Sequence, residues 1–186
     1  QNSPVIRVNI VLVSTETGVG NVLKVVQEHQ SDRRNVVIKI TSEISIPDEP
    51  HIDAILEFQQ GSKPYPELKR FLRLYKENVE KRSLLCYDFR DFFMLIRGRN
   101  VISIVSYEYR ENITEALDQL KSVKTHEGVR YLLYFSVDKC DNDEIGNRQA
   151  SIRDFMDAFP CENITYWNIG ESSSQIVALF ASIPIE

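Results

Sequence analysis

The sequence predicts an α/β protein: a partial Rossmann-like strand–helix–strand unit and a central helix, followed by a mixed sheet carrying further helices. Three observations carry this prediction. Two runs rich in Val and Ile, Val5 to Val13 and Asn35 to Thr41, flank a stretch of helical apolar spacing, the pattern of a parallel crossover. Leu68, Phe71, Leu72, Tyr75 and Val79 then fall at i, i+3, i+4, i+7 and i+11 within Pro66 to Arg82, one face of a 3.6-residue period. From Leu84 onward helical and strand patterns alternate, until Asn163 to Asn168 and Gln175 to Ile183 follow each other across the short link Gly170-Glu171-Ser172-Ser173-Ser174.

In chain order, Val5 to Val13 reads as a buried strand, Ser14 to Gly18 as a loop, and Val19 to His29 as a helix with Val22, Leu23, Val25 and Val26 apolar. Ser31 to Arg34 is a polar break before the second strand, Asn35 to Thr41. Pro47, Pro50, Pro64 and Pro66 punctuate the next stretch, where Ile52 to Phe58 fits either a third strand or a short helix. Pro66 suits the first turn of the central helix. After the acidic turn Cys86-Tyr87-Asp88-Phe89-Arg90-Asp91, Phe89 to Arg97 reads as a short helix stopped near Gly98. Val101 to Tyr109 is a strand. Asn112 caps a helix whose stripe is Ile113, Ala116, Leu117, Leu120 and Val123, and Gly128 ends that stretch. Val129 to Val137 is a strand rich in β-branched and aromatic residues, and Glu144 to Phe159 a helix. The last two strands, so close in sequence, should be antiparallel, while those joined through helices should be parallel. A boundary near residue 82 gives two parts, 1–82 and 83–186.

The composition is that of a globular chain. Its 186 residues suffice for a real core, with 42% hydrophobic and 26% charged residues. A net charge of -5 argues against non-specific nucleic-acid or membrane-surface binding, which need clustered positive charge. No apolar run reaches the ~20 residues that span a bilayer. Cys86, Cys140 and Cys161 match neither a disulfide framework nor a zinc pattern, so the chain reads as cytoplasmic, with reduced thiols. The N-terminus opens almost directly into a strand, as a fragment of a longer chain would.

Several residues make this order resemble the tubulin/FtsZ superfamily, above all its C-terminal domain. There a long central helix leads into an Asn-x-Asp-Phe-x-Asp loop and a short helix. Here the corresponding stretch is Leu84 to Asp91: Asp88, Phe89 and Asp91 match, and Cys86 stands in place of Asn. Asn100 to Ser106, Glu111 to Ala116, Gly128-Val129-Arg130 and Asp143-Glu144-Ile145 resemble the elements that follow. The first half is similar to the family's strand, phosphate loop, helix and strand. Its loop, Ser14-Thr15-Glu16-Thr17-Gly18-Val19-Gly20, fits only the last four positions of Gly-Gly-Gly-Thr-Gly-Thr-Gly, with Val19 in place of Thr.

The resemblance implies a cytoskeletal or cell-division protein acting through contacts with itself or with a tubulin/FtsZ-like partner, without tight GTP binding of its own. It implies, as the enzymatic alternative, a GTPase whose site is completed in trans or by a preceding segment. A third reading is an α/β interaction module that shares only topology. Thr17, Gly18 and Gly20 are the candidate nucleotide-binding residues, since glycines before a helix let backbone N–H groups approach phosphate. Glu16 places a carboxylate beside them, which favours reading the same segment as a plain strand-to-helix turn with Thr17 as N-cap. Asp88 and Asp91 are the candidate catalytic residues. In the family the matching acids reach the neighbouring subunit's nucleotide and position the attacking water. Acids at a helix start also satisfy free N–H groups without any catalytic role. No metal site is predicted.

Overall fold

The computed structural model describes residues 7–29, 33–79, 89–110, 112–123, 128–137, 142–159, 165–171 and 175–185. The elements are β1 (Arg7–Val13), α1 (Glu16–Glu28), β2 (Arg33–Lys39), β3 (Ala54–Phe58), α2 (Pro64–Val79), α3 (Phe89–Ile96), β4 (Gly98–Glu108), α4 (Ile113–Leu120), β5 (Arg130–Val137), α5 (Asn142–Ala158), β6 (Thr165–Glu171) and β7 (Ile176–Pro184). One seven-stranded sheet runs β1-β2-β3-β4-β7-β5-β6. All neighbours are parallel except at β7, which is antiparallel to β4 and to β5.

Central strands are buried on both faces, which explains their unbroken apolar runs. In β2, Asn35 to Lys39 are all buried; in β7, Ile176 to Ser182 are. Within Ile52 to Phe58, ambiguous by pattern, Ala54–Phe58 is strand β3 because it is paired on both sides, Ile55 lying between Val37 and Arg99. Cross-strand partners share a face, so the helices sort into two layers. On one face α2 and α3 bring Leu68, Phe71, Leu74, Phe92, Leu95 and Ile96 onto Ile38, Leu56, Ile102, Tyr134 and Phe180. On the other, α1 packs Val22 and Val26 against Val13, Val37 and Ile55, while α4 and α5 cover Tyr131, Leu133, Phe135 and Leu179.

Several element ends shift from the sequence expectation. The central helix begins at Pro64 rather than Pro66. The helix expected from Val19 begins at Glu16, and its N-cap is Thr15, not Thr17. Asn112 caps α4 as expected, its side chain accepting from the Thr114 N–H. Gly98 and Gly128 both take positive φ, as chain-stopping glycines do. The last two strands run antiparallel, but they do not form a hairpin: β5 lies between them. The position chosen as a boundary, residue 82, is spanned by the sheet. β3 pairs with β4 from Ala54 opposite Gly98 to Phe58 opposite Ile102, and one core cluster includes residues from both sides.

Two polar clusters tie elements together. Asn35, 1% exposed, accepts from the Asn9 amide at 3.0 Å and donates to the His51 carbonyl at 3.0 Å. Its backbone N–H donates to Asp53 at 2.8 Å. Asn100, fully buried, donates to the carbonyls of Ile96 and Arg97 at the end of α3 and accepts from the Arg130 guanidinium. Arg130 also donates to the Met94 carbonyl at 2.7 Å.

Candidate functional site

In open sheets with parallel strands, ligands bind in the crevice outside the carboxyl ends of those strands. At that edge β1 ends at Val13, whose carbonyl accepts from the Ile40 N–H at 2.8 Å, and the chain turns directly into α1. The Thr15 hydroxyl accepts from the Gly18 N–H at 3.1 Å, and the Thr15 carbonyl takes the same N–H at 3.0 Å. Thr17, Gly18 and Gly20 therefore lie inside the first two turns of α1 rather than in an open loop. Neither glycine has positive φ. Gly18 is small for a packing reason: a Cβ there would sit 3.3 Å from the Thr15 hydroxyl and 3.4 Å from a Val13 methyl. Gly20 faces open space. The Glu16 carboxylate accepts from the Ser45 N–H at 3.3 Å, binding the helix start to the loop after β2.

A cavity of about 290 Å³ lies at the ends of β2 and β3, lined by Lys39, Thr41, Glu43, Glu57, Gln59 and Ser62 among others. Lys39 and Glu57 are register partners on adjacent strands and form an ion pair at 2.6 Å, with side chains 8% and 20% exposed. The single described lysine of the lining is thus neutralised by its neighbour, and Glu43 adds a further carboxylate. An anionic ligand entering here meets little net positive charge. Polar hydroxyl and amide groups are offered instead, which suit a sugar or a base. Sequence reasoning missed Lys39 and Glu57. Their signal was a charged residue inside an otherwise apolar β-branched run.

Of the acidic pair, only Asp91 is placed, and it falls elsewhere. Asp88 lies outside the described residues. Asp91 occupies the first turn of α3 and is half-buried. Helix α3 lies along the amino ends of the parallel strands: Arg34, near the start of β2, stacks over Phe93 at 5.5 Å, and Arg130, at the start of β5, binds Met94. Gly18 and Asp91 thus sit toward opposite edges of the sheet, and the chain does not bring them into one site. Arg99 is committed to the loop before β3, donating to the Ile46 carbonyl at 2.8 Å and to Asp48 at 3.2 Å. Among the described residues no His, Cys, Asp and Glu cluster could hold a metal, and no helix is long and apolar enough to cross a membrane.

No protein-family profile and no curated protein matches the sequence. The fold does have counterparts among solved structures. CetZ from Methanosaeta thermophila superposes with a TM-score of 0.56 at 12% identity, over 95% of this chain and 60% of that one. GDP-bound CetZ1 from Haloferax volcanii gives 0.56 at 11% identity, over 95% and 64%. TubZ of Bacillus thuringiensis serovar israelensis, crystallised as GDP-form protofilaments, gives 0.54 at 8% identity, over 96% and 60%. The chain thus spans about 60% of the length of these proteins. At this identity the likeness is one of architecture, and it covers both halves of the sheet: the chain has the tubulin/FtsZ fold.

Proposed function

We propose that this chain is a cytoskeletal or cell-division protein of the tubulin/FtsZ kind that works by subunit or partner contact and does not bind GTP tightly by itself. The observation that carries the reading is the separation of the candidate residues. The glycine-containing helix start lies past the carboxyl end of β1, and Asp91 lies on α3 at the amino ends of the strands. Residues at opposite edges act together only when the edge of one molecule meets the opposite edge of the next, the head-to-tail arrangement that generates filaments. Met94, on α3, is 54% exposed, a large apolar group on that edge. TubZ, of the same fold, forms protofilaments. The weak anion-binding character of the carboxyl edge, with Glu16, Glu43 and Glu57 beside one paired lysine, supports contact without tight nucleotide binding. Sedimentation and electron microscopy, with and without GTP, test the proposal, on the chain alone and mixed with a tubulin-fold protein from the same source. Polymer, or altered assembly of the partner, is the expected result. Neither polymer nor any effect on the partner would sink it.

The enzymatic alternative is a GTPase completed in trans or by a preceding segment, with GTP as cofactor. The cavity at the carboxyl ends of β2 and β3 favours it. Phosphate release that vanishes in both Asp88→Ala and Asp91→Ala would support this reading, and release that persists in both would remove it.

A further inference from the structure

Helix α2 gathers positive charge on a face that the core does not use. The whole chain is acidic, with a net charge of -5, yet this helix carries Lys69, Arg70, Arg73 and Lys76 against Glu67 and Glu77. Leu68, Phe71 and Leu74 turn inward. Tyr65, Lys69, Leu72 and Lys76 are all exposed. They stand at i, i+4, i+7 and i+11, so they form one line along the helix. Tyr65 is 69% exposed and Leu72 39%, two large apolar groups open to solvent. Arg70 is held by Glu67 at 2.7 Å. Lys69 and Lys76 make no side-chain hydrogen bond or ion pair among the described residues.

The spacing is that of a helix seam. Tyr65, Leu68, Leu72 and Tyr75 alternate by three and four residues, as the first and fourth positions of a heptad do. The core covers one side of this seam. Leu68 is 8% exposed, and Tyr75 lies edge-on to Phe92 with ring centroids 5.9 Å apart. The other side, Tyr65 and Leu72, is open. Lys69 and Lys76 fall at the fifth position of each heptad, where paired helices match charges and so choose partners. Charge also sorts the occupants. A second copy presenting its own α2 would set lysine against lysine and be repelled. A nucleic acid or an anionic bilayer extends past the ~16 Å from Tyr65 to Lys76 and meets the acidic remainder of the chain. A single helix of about three turns fits within the stripe.

We infer that the outer face of α2 docks an acidic amphipathic helix, whose apolar residues cover Tyr65 and Leu72 and whose carboxylates pair with Lys69 and Lys76. Burial of the two apolar groups supplies affinity, and the lysines select the partner. None of the four residues lines the cavity at the carboxyl ends of β2 and β3, and none belongs to α3. The docking face therefore stands or falls separately from the filament proposal.

The probe is a synthetic peptide of three heptads, with Leu at the first and fourth positions and Glu at the fifth and seventh. Its controls are the same peptide with Lys for Glu, and the Glu peptide in scrambled order. Binding to the full chain is followed by titration calorimetry and by amide chemical shifts. The Glu peptide should bind about tenfold tighter than the Lys peptide, the combined size of two exposed attractions gained and two repulsions avoided. Added salt should narrow that difference. The scrambled peptide should not bind, and shifts should centre on Lys69, Leu72 and Lys76. Lys69→Glu combined with Lys76→Glu should reverse the preference, at an unchanged melting temperature. Leu72→Ser should weaken both peptides together. No binding of the Glu peptide, equal affinity for the two peptides, or an unreversed preference in the double variant overturns the assignment. So does tighter binding of an oligonucleotide or of phosphatidylserine vesicles than of the Glu peptide.

Discussion

Asn100 and Arg130 show how a few polar atoms place the short helix α3. Asn100 is fully buried, and its amide is shared between the end of α3 and the guanidinium of Arg130. Burial pushes the Arg130 pKa below its ordinary value, because the charge has been taken partly out of water. The same burial makes its partners hard to replace. Asn100→Ala leaves the guanidinium and two helix carbonyls without their match, and should cost about 2–3 kcal/mol, read as a lower urea midpoint. Arg130→Lys should not preserve stability, because one ammonium cannot reach both the Met94 carbonyl and the Asn100 side chain as a planar fork does. The ion pair of Lys39 and Glu57 makes a second residue-level case. Glu57→Gln keeps an acceptor but removes the compensating charge from a lysine whose side chain is 8% exposed. It should destabilise by about 1–3 kcal/mol in the same assay, because the buried ammonium loses its counter-charge. A change within about 0.5 kcal/mol, typical of a surface substitution, would mean that water already satisfies Lys39.

Among the elements, the start of α1 separates what local pattern reveals from what it hides. The stripe of α2 was legible in part: Leu68 and Phe71 are buried and Tyr75 packs against the core, but Leu72 is exposed and Leu74, outside the expected stripe, is buried. The start of α1 was not, because Thr-Gly-Val-Gly looks like loop composition and Glu16 looked out of place. Helix propensity gave way there to packing: Thr15 caps, and Gly18 is small so that Thr15 and Val13 can close on it. The two glycines should therefore respond differently. Gly20→Ala meets nothing within 4 Å and should stabilise the helix by up to about 1 kcal/mol, raising the melting temperature by about 2–4 °C. Gly18→Ala should gain less or lose, because its Cβ crowds the Thr15 hydroxyl. Thr15→Ala should cost about 1 kcal/mol. If Gly20 were instead serving an anion through close backbone approach, Gly20→Ala would leave the melting temperature unmoved and remove any nucleotide effect on it. Lys39 and Glu57 were legible only as charges in an apolar run, since their pairing depends on the parallel register of β2 and β3.

At the scale of the whole molecule, strand order is the part that local sequence could not supply. The short link between β6 and β7 predicted their opposite directions correctly. It did not reveal that β5 enters between them, since that depends on pairings between residues distant in sequence, such as Ile104 with Phe180 and Leu132 with Phe180. The pairing of β3 with β4 carries a consequence for stability. Residues on either side of position 82 contribute to one cluster, where Phe71 lies 6.1 Å from Phe92 and 6.3 Å from Phe180, ring to ring. Neither half can expose these rings without opening the core of the other. Urea unfolding followed by far-UV circular dichroism and by the fluorescence of the single tryptophan, Trp167, should therefore give coincident transitions with one midpoint. Phe92→Ala should lower both signals' midpoint together, by about 3–5 kcal/mol of stability, as removal of a buried aromatic does. Two separated midpoints, or a fragment of residues 1–82 that folds alone with dispersed amide resonances, would show instead that the halves are independent units meeting only at their surfaces.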